Sequence, residues 1–135
     1  MLTPHRQAAD ALLGVGRRGD PITRAPYRFV AIHAIELYLD ALLLATGREA
    51  VDLRRMHHDI ASRTQLAIST RLILRKRTMA HLMALSERRE YLTTRYDPVA
   101  TETTELNRLT ATLAEVAEKV TAIIEDAKPS SRLDQ

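Results

Sequence analysis

The side chains that could do acid–base or ligand chemistry begin with three on the most apolar stretch of the chain. His33, Glu36 and Asp40 are separated by three and four residues, and this spacing puts them on one face of a helix. A carboxylate on a buried helix needs a cationic or hydrogen-bonding partner. Glu36 is therefore a candidate ligand-binding residue, and His33 and Asp40 are supporting candidates. The alternative is that this stripe faces water.

A second group lies at residues 57–59, where two histidines precede an aspartate. On a helix, adjacent histidines point about a third of a turn apart, which argues against a shared metal ion. A carboxylate di-iron bundle would need Glu-x-x-His pairs on two helices, and the sequence has none. We predict no metal and no cofactor. His58 and Asp59 are supporting candidates, with His58 as a cap or a core hydrogen-bonding residue.

A third group lies near the middle of the chain. Tyr91 and Arg95 are four residues apart, so on a helix they share a face, where a guanidinium can bind phosphate and a phenol can stack on a base. Tyr96 is the third candidate here. Arg95 is also a candidate partner for the Glu36 carboxylate. The alternative is a surface arginine packed on a tyrosine at a helix end.

Helices are the elements that must position these side chains. Hydrophobic periodicity predicts helices over residues 3–15, 27–46, 49–64, 66–96 and 101–127. Pro26 suits the first turn of the central helix and Gly47 the position past its end. The fourth helix is expected to break near residues 69–70 or near Thr78. The last helix carries an apolar seam at alternating steps of three and four, formed by Leu106, Leu109, Leu113, Val116, Val120 and Ile123.

Composition limits the fold. With 135 residues the chain is most simply one domain, which we place at residues 1–128, before a polar tail at 129–135 that we predict to be disordered. Four tyrosines and one phenylalanine are the only aromatics, so the core is aliphatic. This favours an all-α, up-and-down bundle of four to five helices. Because cysteine is absent, the sequence excludes disulfides, thiolate metal sites and a cysteine nucleophile.

The central helix is long enough to span a membrane, but its composition argues against that. Three ionisable groups near its middle would each cost roughly 2.5 to 3.5 kcal/mol in lipid. The N-terminus also lacks a continuous apolar run behind basic residues, so no signal peptide is predicted. We expect a soluble, cytoplasmic protein with no membrane contact.

Charge is distributed unevenly along the chain. Residues 54–95 hold ten basic residues against three acidic ones, a net charge of +7, whereas residues 97–135 hold four against eight, a net charge of −4. A basic middle can meet phosphate. The alternative is that these charges are solvated helix faces whose long side chains cover apolar neighbours.

Three segments, in this order, resemble the HEPN domain family (higher eukaryotes and prokaryotes nucleotide-binding). Residues 31–44 (AIHAIELYLDALLL) resemble the second helix of that family, residues 56–60 (MHHDI) its histidine-aspartate-aliphatic signature, and residues 91–98 (YLTTRYDP) the end of its next helix. The resemblance spans roughly residues 5–125. It implies a helical bundle that pairs into a homodimer, with a nucleotide or RNA cleft lined by Glu36 and Arg95.

The chain departs from the family pattern at three places. Asp97 is inserted before the expected proline, and Asp40 stands where many relatives carry a lysine. Active ribonucleases of this family have a histidine four to six residues beyond their arginine, but no histidine follows Arg95 at that spacing. The departure from the ribonuclease motif favours a domain that binds nucleotides without catalysis.

The function predicted from these observations is a non-catalytic, dimeric nucleotide-binding domain acting beside a nucleotidyltransferase partner. Two alternatives stay open: a metal-independent ribonuclease toxin of a toxin–antitoxin pair, and a structural helical interaction module. We expect a homodimer because the central helix is apolar on more sides than a small bundle covers, and because the seam of the last helix adds apolar surface.

Overall fold

A computed structural model describes the backbone of residues 3–15, 21–88 and 99–127, and side chains within 4–14, 25–85 and 106–127. Over these residues helices are the only regular secondary structure, which confirms the predicted all-α bundle. The six helices are α1 (Thr3–Val15), α2 (Pro21–Ala45), α3 (Ala50–Arg55), α4 (Ile60–Ile68), α5 (Lys76–Arg88) and α6 (Val99–Asp126). The predicted tail at 129–135 lies outside the described residues.

Helix α2 is the centre of the bundle. It packs most extensively against α6 and α1 and also contacts α4, while α5 contacts both α4 and α6. Five of its aliphatic side chains are at most 1 % exposed: Ile32, Ile35, Leu39, Leu42 and Leu43. Each side chain of this kind stabilises the fold by about 1.5 to 3 kcal/mol relative to leaving it in water. The prediction of a central, nearly all-apolar helix is confirmed.

Of the two predicted ends of α2, the start is wrong and the end is confirmed. The predicted start near Tyr27 is wrong, because the helix begins at Pro21 and Pro26 lies inside it. An interior proline such as Pro26 lacks the N–H that would bond the carbonyl four residues earlier, and its ring crowds that carbonyl. Pro21 is nevertheless as suitable for a first helical position as Pro26 is. The predicted end is confirmed. Gly47 has a φ of 106°, and Arg48 N donates to Leu43 O at 2.9 Å, as in a Schellman cap.

The predicted third helix is divided in two. Helix α3 ends at Arg55 and α4 begins at Ile60, with His57 in the left-handed region at a φ of 50°. His57 and His58 therefore lie in a turn and not on a helix, so the angle of a third of a turn expected between them on a helix does not apply. Of the two breaks considered further on, the one near residues 69–70 is confirmed, and Thr78 lies within α5.

The apolar seam of α6 is covered within the same chain. Leu109, Leu113, Val116 and Val120 are each at most 2 % exposed, because α6 packs along α2 and α5. The seam therefore supplies no surface for a dimer. Among the described residues, none of the helices combines the length and the hydropathy that a membrane crossing requires.

Candidate functional site

Glu36 and His58 are in direct contact. The Glu36 carboxylate belongs to a residue that is 8 % exposed, and its Oε1 lies 3.0 Å from His58 Nδ1. A carboxylate only accepts, so the imidazole Nδ1–H is the donor. The His58 side chain is 57 % exposed. His58 thus makes a hydrogen bond, as expected, but its ring faces solvent, so it is not the core hydrogen-bonding residue that the sequence suggested.

Asp40 meets Arg63, a residue that the sequence interpretation missed. Arg63 is 3 % exposed, and its Nε donates to Asp40 Oδ1 at 2.6 Å. Its two Nη atoms donate to Asp59 O at 3.3 Å and to Leu53 O at 3.2 Å. Burial raises the pKa of Asp40, with the Glu36 carboxylate adding to the rise and Arg63 opposing it. Arg63 thus fastens α2 to the turn between α3 and α4.

The remaining supporting candidates have separate roles. Asp59 is the N-cap of α4: its Oδ1 accepts from Ser62 N at 3.0 Å and its Oδ2 accepts from Ser62 Oγ at 2.7 Å, which satisfies one of the helix's unpaired N–H groups. His33 is exposed, and its ring centroid lies 6.1 Å from that of His5. The alternative of a stripe facing water therefore holds for His33 and is wrong for Glu36.

The strongest predicted ligand contacts, Tyr91, Arg95 and Tyr96, lie outside the described residues. Whether Arg95 meets the Glu36 carboxylate stays a prediction. Within the described residues, the partner seen on Glu36 is His58. We call Glu36, His58, Asp40, Arg63 and Asp59 the α2–α4 cluster.

A second polar cluster joins α5 to α6 around Glu115. Its carboxylate accepts from Thr78 Oγ1 at 2.5 Å, from the backbone N–H of Arg75 at 2.8 Å and from Lys119 Nζ at 2.8 Å. Lys119 Nζ also donates to Ile73 O at 2.6 Å. Burial raises the pKa of Glu115, but the donors from Lys119, Thr78 and Arg75 outweigh it and lower the pKa to about 2.

Arg108 extends this α5–α6 cluster along the next turn of α6. Its Nη2 donates to Thr78 Oγ1 at 3.1 Å and its Nε is 3.4 Å from Thr112 Oγ1. The same Thr112 hydroxyl lies 2.8 Å from His81 Nδ1. The hydrogen bonds that Arg108 makes here go to neutral hydroxyls. Its positive charge is therefore positioned without being cancelled by these partners.

A cleft of about 300 Å³ lies beside the α5–α6 cluster, and Arg75, Arg108 and Lys119 line it together with Glu115 and Glu118. Arg75 is exposed and Arg108 is partly buried. The further basic residues of this stretch are also exposed: Arg71, Lys76 and Arg77. A cleft lined by two guanidinium groups and an ammonium group can bind an anion, and guanidinium geometry suits phosphate best.

Sequence reasoning identified the basic side of this region but not its organisation. Arg63 could have been identified from its position, because it shares a face of α4 with Ile60 and Ala67, at steps of three and four. These residues are all buried. A charged residue on that face, four positions after a capping aspartate, must meet a buried acid. The sequence signal for Glu115 was partial. Lys119 lies four residues further on in the same helix and can pair with it, but the other two donors come from residues 75 and 78, far away in the sequence.

No group of three or more histidine, aspartate or glutamate side chains within the described ranges is placed to hold a metal ion. A scan of protein-family models finds no match to this chain, and neither a search of curated proteins nor one of solved structures finds a similar protein. The HEPN resemblance thus stays a prediction carried by residues 31–44, 56–60 and 91–98.

Proposed function

We propose that this protein is a HEPN-like helical domain that binds a nucleotide or RNA without cleaving it, through phosphate held in the cleft beside α5 and α6. The observation that carries the proposal is the convergence of Arg75, Arg108 and Lys119 on that cleft. The segment that contains most of α5 and its approach is also the most basic part of the sequence, which favours encounter with a polyanion.

Among the described residues, the donors to Glu115 do not include the guanidinium groups of Arg75 and Arg108, so both groups remain available to a ligand. Glu115 already receives donors from Thr78, from the Arg75 backbone and from Lys119. The guanidinium of Arg75 takes no part in these bonds, and Arg108 is oriented by hydroxyls. Both can point planar N–H groups toward phosphate oxygens. Such charge-assisted hydrogen bonds are stronger than those from neutral donors.

The same cleft is poorly equipped for cleavage. Metal-free RNA hydrolysis needs a base for the 2′-hydroxyl proton and an acid for the leaving oxygen. Arginine stays protonated and cannot serve as the base. Glu115, with a pKa lowered to about 2, is a weak base and holds no proton to donate near neutral pH. The cleft is therefore suited to binding phosphate and not to breaking its ester bonds.

Binding measurements with matched arginine variants test the proposal. ATP and a short single-stranded RNA are titrated into the wild type and into Arg75→Gln and Arg108→Gln proteins. The control is Arg54→Gln, which removes an exposed arginine of α3 outside the cleft. We expect each cleft variant to lose about tenfold in affinity, the effect of one charge-assisted hydrogen bond, and the control to bind as the wild type does. Equal losses in all three would contradict the proposal.

A ribonuclease is the second candidate, because the Glu36–His58 contact favours it. An exposed imidazole whose Nδ1–H donates to a buried carboxylate has the geometry of an oriented general base. The test is cleavage of RNA in the presence of EDTA. Cleavage abolished by His58→Gln and by Glu36→Gln, but kept by the neighbouring His57→Gln control, would replace the binding proposal with this one. Absence of cleavage in the wild type would remove it.

The resemblance also supports a homodimer that acts with a nucleotidyltransferase partner. We include a second copy of this chain and that partner in the proposal, together with a cytoplasmic location. With the α6 seam buried, the apolar surface left for pairing is smaller than the sequence indicated. The large apolar side chains still exposed among the described residues are Phe29, Leu44, Val51, Ile68 and Ile73. Sedimentation at micromolar concentration should give a dimer, and a single species of 15.2 kDa would contradict the homodimer.

A further inference from the structure

A groove of about 570 Å³ runs between α1, α2 and α6, on another face of α6 from the phosphate cleft. The charged side chains that line it are mostly acidic. There are four carboxylates against the single guanidinium of Arg6, and the carboxylates are those of Asp10, Glu118, Glu125 and Asp126. The groove therefore has the opposite charge to the cleft beside α5, although Glu118 borders both.

Tyr38 provides an independent sign of a ligand site in this groove. Tyr38 is 5 % exposed and lines the groove, yet its hydroxyl makes no hydrogen bond within the described part of the chain. Tyr27, three turns earlier on α2, places its hydroxyl 2.8 Å from Thr110 Oγ1, which is the usual outcome for a buried tyrosine. Burial raises the pKa of Tyr38, so its phenol stays neutral and can accept a hydrogen bond from a cation.

The spacing of the carboxylates indicates the shape of that cation. Glu125 and Asp126 follow Glu118 by seven and eight residues on α6, which separates them by about 10 to 12 Å along the helix axis. Thr121 and Ala122 line the groove between them, and Ala117 lines it beside Glu118. Carboxylates at the ends with small side chains between them suit a chain of methylene groups with ammonium groups spaced along it.

The ion pairs that the groove carboxylates already make are weak, so they compete little with a cationic ligand. Arg6 Nη2 lies 3.5 Å from Glu118 Oε2, and Arg71 Nη2 lies 3.7 Å from Asp126 Oδ2. Both pairs are solvent-exposed, and exposed pairs contribute little net free energy. A ligand with several ammonium groups can therefore displace these contacts. Its N–H groups can then donate to the acidic side chains and to the Tyr38 hydroxyl.

We propose that the groove between α1, α2 and α6 binds a linear aliphatic polyamine, with ammonium groups on Asp10 and the α6 carboxylates and one N–H donated to Tyr38. The proposal does not rest on phosphate binding, although Glu118 borders both sites. A compact metal ion is a poorer fit because the described residues offer no group of three ligating side chains.

Calorimetric titration at fixed ionic strength tests this site with spermidine, putrescine and MgCl₂ as probes. We expect saturable binding of spermidine with one molecule per chain, and weaker binding of the shorter putrescine and of Mg²⁺. Tyr38→Phe, which keeps the buried ring, and Asp10→Asn should each weaken spermidine binding by about tenfold. Asp52→Asn, at an exposed carboxylate of α3 outside the groove, should leave it unchanged.

Three results would overturn the proposal. One is the absence of saturable spermidine binding. A second is equal binding of spermidine, putrescine and Mg²⁺, which would show general charge screening. The third is an affinity that stays the same in Tyr38→Phe and Asp10→Asn, or that falls equally in Asp52→Asn, with helical content confirmed by circular dichroism in every variant.

Discussion

The α2–α4 cluster and the α5–α6 cluster each pair a carboxylate with a cation, but they treat the charge differently. Burial raises the pKa of Asp40, which receives a donor from Arg63. The pKa of Glu115 is lowered to about 2, because three groups donate to it. The comparison teaches that one ion pair does not offset burial and the nearby Glu36 carboxylate at Asp40, whereas three donors do offset burial at Glu115.

The arginines of the two clusters differ in how much of each guanidinium group is left for a ligand. Arg63 is 3 % exposed and donates to Asp40 and to two backbone carbonyls, so it has a structural role and little surface for a ligand. Arg75 is exposed at the cleft. It contacts Glu115 of the α5–α6 cluster through its backbone N–H and not through its guanidinium. The first cluster holds the bundle together, and the second leaves positive charge for a ligand.

The largest expected effect is the loss of Asp40. Asp40→Ala leaves the buried Arg63 guanidinium without its carboxylate, and breaking a buried pair in this way costs about 3 kcal/mol or more. Urea denaturation at neutral pH measures the change in the free energy of unfolding. The exposed Asp52→Ala is the control and should change it by no more than about 0.5 kcal/mol.

The double variant sharpens this prediction. Adding Arg63→Met to Asp40→Ala removes the buried charge, and apolar replacement of a buried pair is often close to neutral. The double variant should therefore be more stable than Asp40→Ala alone, even though the Leu53 and Asp59 carbonyls lose their donors. A double variant less stable than the single one would show that the charge of Arg63 is tolerated without Asp40.

The next effect, in size, is that of Glu115 and its dependence on pH. Because its folded-state pKa is depressed to about 2 from 4.5, its contribution is complete above pH 4.5 and is lost as pH falls toward 2. Glu115→Gln should cost roughly 2 kcal/mol at pH 7, and the gap to the wild type should narrow below pH 4.5. Glu118→Gln, at an exposed neighbour, is the control. A gap that is constant from pH 7 to pH 3 would contradict the three-donor account.

Asp40 should show the opposite sign. A carboxyl whose folded-state pKa is raised contributes stability below its ordinary pKa of 3.8, and this contribution is lost as pH rises through the raised value. The pH dependence of the two variants, each compared with the wild type, should therefore run in opposite directions between pH 5 and pH 3. Parallel curves would show that the two clusters do not differ as described.

The smallest effect is expected at the α4 cap. Asp59→Ala removes the acceptor of Ser62 N and should cost about 1 kcal/mol in the free energy of unfolding, whereas Asp59→Asn should cost only a few tenths because asparagine caps equally well. Chemical denaturation of the two variants in parallel gives the comparison. Equal costs for alanine and asparagine would mean that the charge, and not the cap, is what matters at Asp59.

The sequence predicted the parts of this fold that depend on local pattern. The apolar central helix, its end at Gly47 and the break near residues 69–70 follow from periodicity and from glycine and polar residues at helix ends. The start at Pro21 was missed because both prolines suit a first turn. The split at residues 56–59 was missed because the apolar spacing of residues 51–60 continues through it, while His57 adopts a left-handed conformation.

The candidate site was less accessible to sequence reasoning for a physical reason. That Glu36 needs a partner follows from its place on an apolar helix, but the partner seen, His58, depends on a turn that brings residues 22 positions apart together. The donors on Glu115 come from a loop, from α5 and from α6 itself. The contacts from the loop and from α5 are set by tertiary packing, whereas only Lys119, four residues further on in α6, lies at a spacing that the sequence shows.

The most direct test of the central claim is the salt dependence of RNA binding in two arginine variants. The account predicts that the logarithm of the affinity falls linearly with the logarithm of salt concentration, and that Arg75→Gln reduces this slope by about one. Arg54→Gln, which removes the same charge from α3, should keep the wild-type slope. Identical slopes for both variants would show that the cations of the α5–α6 cleft do not meet phosphate, and would contradict the account.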